Sequence, residues 1–152
     1  MIKTITTDER SFEINSSAGW LYEYRNRFGH DILPDIMPVI ESVLSAAATL
    51  LDGKEIDTQK LAEAIESDEM VDAFIKLSGL EIVTMYNIIW AMAKNADDKT
   101  PAPKDFYNGF ESFPIDIVLP EVFEAIVKSS ISQKNAARLL QKAKAKNATK
   151  RA

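Results

Sequence analysis

The sequence predicts a mainly α fold: a compact helical domain with a small N-terminal β-hairpin and a basic C-terminal helix or tail. Three observations lead there. Apolar residues recur at helical spacing in several segments, some with capping signals. Phe12 and Ile14 alternate with polar residues just after a threonine-rich stretch. Charge divides along the chain, because no acidic residue follows Glu124 while eight Lys and Arg do. At 152 residues the chain is the size of one domain. Its 46% apolar content is too high for a disordered chain. The expected division is a helical domain over residues 1–131 and a basic segment over 132–152.

Lys3-Thr-Ile-Thr-Thr and Ser11-Phe-Glu-Ile flank the polar Asp8-Glu9-Arg10, the pattern of a hairpin. A lone hairpin is marginal in water, so it must rest on helices. Asn15-Ser16-Ser17 offers oxygens to cap a first helix, on which Trp20, Leu21, Tyr24 and Phe28 share a face. Gly29 suits the left-handed position that ends it. Pro34 and Pro38 fit the opening of the next helix. Ile36, Ile40, Val43, Leu44, Ala47 and Leu51 form its stripe, and Met37, Val39, Ala46, Ala48 and Leu50 widen it almost all round. Asp52-Gly53 stops it.

Asp57 to Glu66 predicts a short helix, and Ser67-Asp68 restarts another that carries Met70, Val71, Phe74, Ile75 and Leu77. Ser78-Gly-Leu-Glu81 has capping-box spacing and opens a helix to about Asn95. There Ile82, Met85, Tyr86, Ile89 and Ala93 form one face, with Val83, Ile88 and Trp90 at its sides. This is the expected core helix. Its apolar run is too short to span a bilayer. Residues 96–103 form a connector with two prolines. A helical turn over Lys104 to Asn108 follows, ended by Gly109. Phe106, Phe110 and Phe113 make an aromatic cluster that must be buried. Phe113-Pro114 opens a further segment, and Pro120 is expected to begin a helix with Val122, Phe123, Ile126 and Val127 inward. The last helix runs from Gln133 to about Lys146.

The composition excludes several chemistries. With no cysteine there is no disulfide, thiolate metal site or cysteine nucleophile. His30 is the sole histidine and follows a helix-ending glycine, so a capping role outweighs metal ligation, which needs several convergent ligands. Asp97-Asp98 reads as a pair of solvated turn residues. No glycine pattern fits a phosphate cradle and no nucleophile motif is present. The expectation is a protein that is not an enzyme and holds no cofactor or metal. The polar, partly acidic segment Met1 to Arg10 does not read as a signal peptide.

Charge narrows the partners. The net charge of −5 combines a basic end with a remainder at −13, which repels nucleic acid and membrane surfaces. Lys134, Arg138, Lys142 and Lys146 fall at i, i+4 on one helical stripe. Such a stripe suits a phosphate backbone or an acidic protein, but a solubilising face is the preferred account of it. No aromatics interleave with it for base stacking.

Two stretches carry a resemblance. Tyr24, Arg25, Phe28, Gly29, Asp31 and Ile32 fit the pattern Tyr-Arg-x-x-Phe-Gly-x-Asp-Ile, inside an aromatic-rich segment that begins at Trp20. Ile89-Trp-Ala-Met-Ala-Lys-Asn-Ala-Asp then leads through Pro103 and Phe106 to Phe110-Glu-Ser-Phe-Pro-Ile and Val118-Leu-Pro-Glu. In this order, from about Ile2 to Lys128, they resemble the tail assembly chaperones of long-tailed siphophages. The resemblance implies a protein of the infected host cytoplasm that is absent from the mature virion. It implies binding to the helical tape measure protein, and recruitment of tail tube protein through a longer frameshifted form. Self-association is also expected, and neither membrane nor nucleic acid is an expected partner. Met37, Ile40, Val43, Leu44, Ala47 and Leu51 are the candidate partner surface, since a helix apolar nearly all round exceeds what one core contact needs. The alternatives are a small nucleic-acid-binding regulator that uses the basic tail, and a structural tail or connector subunit.

Overall fold

The hairpin forms where the alternation places it. A computed structural model describes residues 1–50 and 81–130, the side chains at 42–50, 127 and 130 excepted. Strands β1 (Ile2–Thr6) and β2 (Ser11–Asn15) pair antiparallel, with Ile5 opposite Phe12 and Lys3 opposite Ile14. One face of the pair carries Lys3, Ile5, Phe12 and Ile14. Ile5 and Ile14 are fully buried, whereas Ile2, Thr4 and Thr6 on the other face are exposed. The Thr7 amide (3.1 Å) and hydroxyl (2.7 Å) both donate to the Arg10 carbonyl and close the turn.

Helix α1 (Gly19–Phe28) buries Trp20 and Tyr24, as the periodicity requires. Its start differs from the expectation. Ala18 holds the cap position with no side-chain cap bond, and the three polar residues before it do other work. Asn15 Oδ1 accepts the Ser17 amide at 3.0 Å. The buried Ser16 hydroxyl donates to the Met1 carbonyl at 3.2 Å and meets the Ser129 hydroxyl. Polar side chains that suit a cap are spent here on pinning the hairpin's open end. At the other end Gly29 adopts φ 81°, and its amide donates to the Arg25 carbonyl at 2.9 Å, the expected left-handed ending.

Helix α2 (Leu33–Leu50) contains Pro34 in its first turn and Pro38 in its second. Pro38 is therefore interior and not part of the opening, because Asp31 Oδ1 accepts the Leu33 amide at 3.0 Å and starts the helix early. Helix α3 (Ile82–Ala96) begins later than expected. Glu81 is extended (φ −65°, ψ 146°) and holds the cap position itself, so it is not the third residue of a capping box. Helix α4 (Pro103–Asn108) matches the expected turn, and Gly109 follows it with ordinary right-handed backbone.

Helix α5 (Ile115–Ser130) departs most. It starts five residues before Pro120, which lies inside it. The Pro114 carbonyl accepts the Ile117 (3.1 Å) and Val118 (3.0 Å) amides and nucleates the helix there. The missing amide of Pro120 costs one bond only, which the buried Val118, Leu119 and Val122 offset. Phe123, Ala125 and Ile126 continue the inner face.

Among the described residues the fold is mainly helical with one two-stranded antiparallel sheet. The chain divides into two compact units: Met1–Leu33 with Leu80–Ser130, and Pro34–Gly79 with Ile131–Ala152. In the first unit α3 packs against β2 and α1, and α5 lies beside β1. The expected helices at 57–66, 67–77 and 133–146 lie outside the described residues, as do Ser78 and Leu51.

Candidate functional site

The motif residues that carry the resemblance form the corner after α1. The Tyr24 ring is buried, 4.7 Å from Phe28 and edge-on to His30 at 5.4 Å. Phe28 meets Trp90 edge-to-face at 5.7 Å. Gly29 turns the chain, Asp31 caps Leu33, and Ile32 is fully buried. His30 Nδ1 lies 3.4 Å from the Phe28 carbonyl, which is the local role expected of it. Apart from the exposed Arg25, each motif residue thus has a packing or turn-forming task.

The proposed partner surface on α2 is placed only in part. Ile36, Val39 and Ile40 are buried, Ile40 completely. Ile40 is therefore not exposed, contrary to what a free client surface requires: an isoleucine on the most apolar stripe is the residue most readily buried. Met37 is half-exposed. Val43, Leu44 and Ala47 fall within α2 with side chains outside the described set, and Leu51 lies beyond it. Lys134, Arg138, Lys142 and Lys146 also lie outside the described residues.

Apolar exposure appears where the sequence did not lead us to expect it. Ile82 and Val83 are each 64% exposed, although the periodicity assigned them to the core helix's face and side. Ile2, Tyr22, Leu33 and Ile117 are exposed as well. No pattern within a helix reveals which end of its apolar stripe lacks a neighbour.

Polar contacts hold the first unit together. Glu9 at the hairpin tip accepts the Glu111 and Ser112 amides, one on each carboxylate oxygen, both at 2.9 Å. Arg10 beside it stacks on Phe110, 4.2 Å from the ring centroid. Phe110 in turn packs with Phe106, Phe113 and Phe12, the cluster foreseen in part. The buried Glu124 carboxylate bridges Lys3 (3.5 Å) and Lys128. Tyr107, deep in the aromatic cluster, donates its hydroxyl to the Tyr86 carbonyl. Burial pushes its phenol well above the ordinary range and the nearby Tyr86 adds to this, against an opposing hydrogen bond from the Trp90 backbone. Apart from the i,i+4 pair Glu124–Lys128, none of these partners is legible from local spacing.

Chemically the arrangement offers surfaces and anchored polar groups. Asp97 and Asp98 are exposed, and Asp97 Oδ1 accepts the Lys99 amide at 2.9 Å, as turn residues do. Among the described residues no group of three His, Cys, Asp or Glu converges as a metal site requires. No helix there is long and apolar enough to cross a membrane. No protein-family model matches the chain, and no curated protein or solved structure is significantly similar to it.

Proposed function

We propose that this protein is a phage tail assembly chaperone, which binds and solubilises a long helical tape measure protein and helps recruit tail tube subunits during tail morphogenesis. The observation that carries the proposal is the composition of α2: Asp35 and Glu41 are its only charged residues in 18. Such a helix has more apolar length than one core contact uses, and a holdase for an amphipathic helical client needs this kind of surface. The ordered resemblance across both halves of the chain points the same way. The acidic body keeps the free protein soluble while that surface waits for a client. On this reading the protein acts in the host cytoplasm, several copies to a client, and leaves before the virion is complete.

The test is co-expression with the long helical protein encoded beside it. The client should move from the pellet to the soluble fraction, and a complex should survive gel filtration. Met37→Asp, at a half-exposed position, should leave helicity unchanged and weaken the complex. A client equally soluble with and without this chain, with no complex on the column, overturns the proposal.

A further inference from the structure

The two edges of the hairpin are treated differently. Flanking bonds fix which backbone groups face outward. The Ser16 amide donates to the Met1 carbonyl at 3.0 Å, and the Thr7 amide donates to the Arg10 carbonyl at 3.1 Å. Residues 1, 3, 5 and 7 therefore direct their amides and carbonyls to β2, since antiparallel pairs alternate. Ile2, Thr4 and Thr6 direct theirs away, to the open side of β1. All three residues are exposed. On β2 the corresponding outward residues are Ser11, Glu13 and Asn15. There Glu13 brings a charge, and the Asn15 carbonyl accepts Asn95 Nδ2 at 3.1 Å. Among the described residues the β2 edge is thus guarded and the β1 edge is not.

Proteins normally protect an edge strand with a lysine, a proline or a bulge. Strand β1 has one lysine, and it is turned the other way: Lys3 Nζ lies 3.5 Å from Glu124 on the inner face. The outward side chains Ile2, Thr4 and Thr6 are uncharged and favour strands.

We propose that β1 pairs edge to edge with β1 of a second copy of this chain, antiparallel about a two-fold axis at Thr4. The strand is its own complement in that register. Ile2 faces Thr6 of the second copy and Thr4 faces Thr4, so every facing pair on the outer face joins uncharged, strand-favouring residues, while Lys3 faces Ile5 on the inner face. Threonine pairs of this kind are favourable across strands. Two hairpins become one four-stranded sheet, which removes the exposed edge and passes the size at which sheets hold well. A β1-to-β2 pairing would meet Glu13 and the Asn95 amide instead. This self-pairing is independent of client binding.

The test uses the full chain in sedimentation and cross-linking. The wild type should form dimers by about 100 µM. Thr4→Lys sets two like charges face to face and should raise the dissociation constant about tenfold or more, with the far-ultraviolet circular dichroism unchanged. The chain has no cysteine, so Thr4→Cys introduces a single thiol. A short bis-maleimide should join two Thr4→Cys chains efficiently, and should join Glu13→Cys chains poorly. The cross-link decides the matter even if Thr4→Lys fails to fold. A wild type that stays monomeric throughout overturns the proposal. So does a dimer that ignores Thr4→Lys and cross-links no better at position 4 than at 13.

Discussion

The two halves of α3 share a composition and differ in surroundings. From Ile88 to Ala93 every residue is buried, with Ile89, Ala91 and Met92 fully so. Ile82 and Val83, two turns earlier on the same helix, are 64% exposed. The buried half has β2 and α1 against it, and Trp90 is fixed by a 2.7 Å bond from Nε1 to the Pro101 carbonyl. Helix propensity and hydropathy are alike along the helix, so they do not set this contrast. The neighbours set it, and β2 and α1 come from 60 or more positions away in sequence. An apolar stripe states how much surface is available for burial; the tertiary fold decides which part is used.

The contrast breaks first at Trp90. Trp90→Ala removes the ring that Phe28 meets edge-on, and leaves the Pro101 carbonyl without its donor. The expected loss is about 3–5 kcal/mol, the range for truncating a buried aromatic. Chemical denaturation measures it. A loss below about 1 kcal/mol would show the buried half to be less committed than its exposure indicates.

Asn95 comes next, at the C-terminal end of the buried half. Its amide donates to the Asn15 (3.1 Å) and Ser17 (3.3 Å) carbonyls and so ties the helix to the chain between β2 and α1. The fit is close: a Cβ on Gly19 would lie 2.7 Å from Asn95 Oδ1. Asn95→Ala removes both bonds and should cost about 1–2 kcal/mol by the same denaturation measurement. Gly19→Ala, which displaces the Asn95 side chain, should reproduce part of that loss. Little effect from either would assign the anchoring to Phe12 and Ile14 alone.

These two residues mark what the sequence made legible. The hairpin, the face of α1, the aromatic cluster and the buried position of Trp90 follow from alternation, period and turn residues, all local signals. The Asn95 tie, the Glu9 clamp on the Glu111 and Ser112 amides and the Lys3–Glu124 ion pair join positions far apart in sequence, so no local rule announces them. Pro120 misled for a related reason. A proline marks a helix start by default, but Pro114 supplies that start and hydrophobic packing carries the helix through the later proline. On the candidate surface, the excess of apolar residues on α2 was legible, whereas the full burial of Ile40 was not.

Tyr107 probes the middle of α3, where the helix passes from exposed to buried. Tyr107→Phe removes the hydroxyl that donates to the Tyr86 carbonyl and should cost about 1 kcal/mol near neutral pH. Its pH dependence has a definite sign. The folded protein holds the phenolic proton more tightly than the unfolded chain, because burial disfavours phenolate. Tyr107's contribution is therefore fully present below about pH 10, the unfolded value, and is lost as the pH climbs above it. Wild-type stability should fall more steeply than that of Tyr107→Phe above this point, and the gap between the two should narrow. Parallel curves would mean that the ring is hydrated.

The smallest expected effect lies at the exposed end, and there the sign of the result matters more than its size. Val83 has the side chain of a core residue without the burial of one. At 64% exposure, Val83→Ser removes little buried area and should change stability by less than about 0.5 kcal/mol, the usual range for surface positions. Serine is close to valine in helix propensity, so the backbone contributes almost nothing to the difference. A matched substitution in the buried half, Ile89→Ser, should cost several times more, because it combines lost burial with a polar group placed at a fully buried site. The ratio between the two measures how sharply the environment changes along one helix. Equal costs would mean that the apolar first turn is covered in solution. If the cost at Val83 also rises with protein concentration, another copy of the chain supplies the cover, because association stabilises by mass action and intramolecular packing does not.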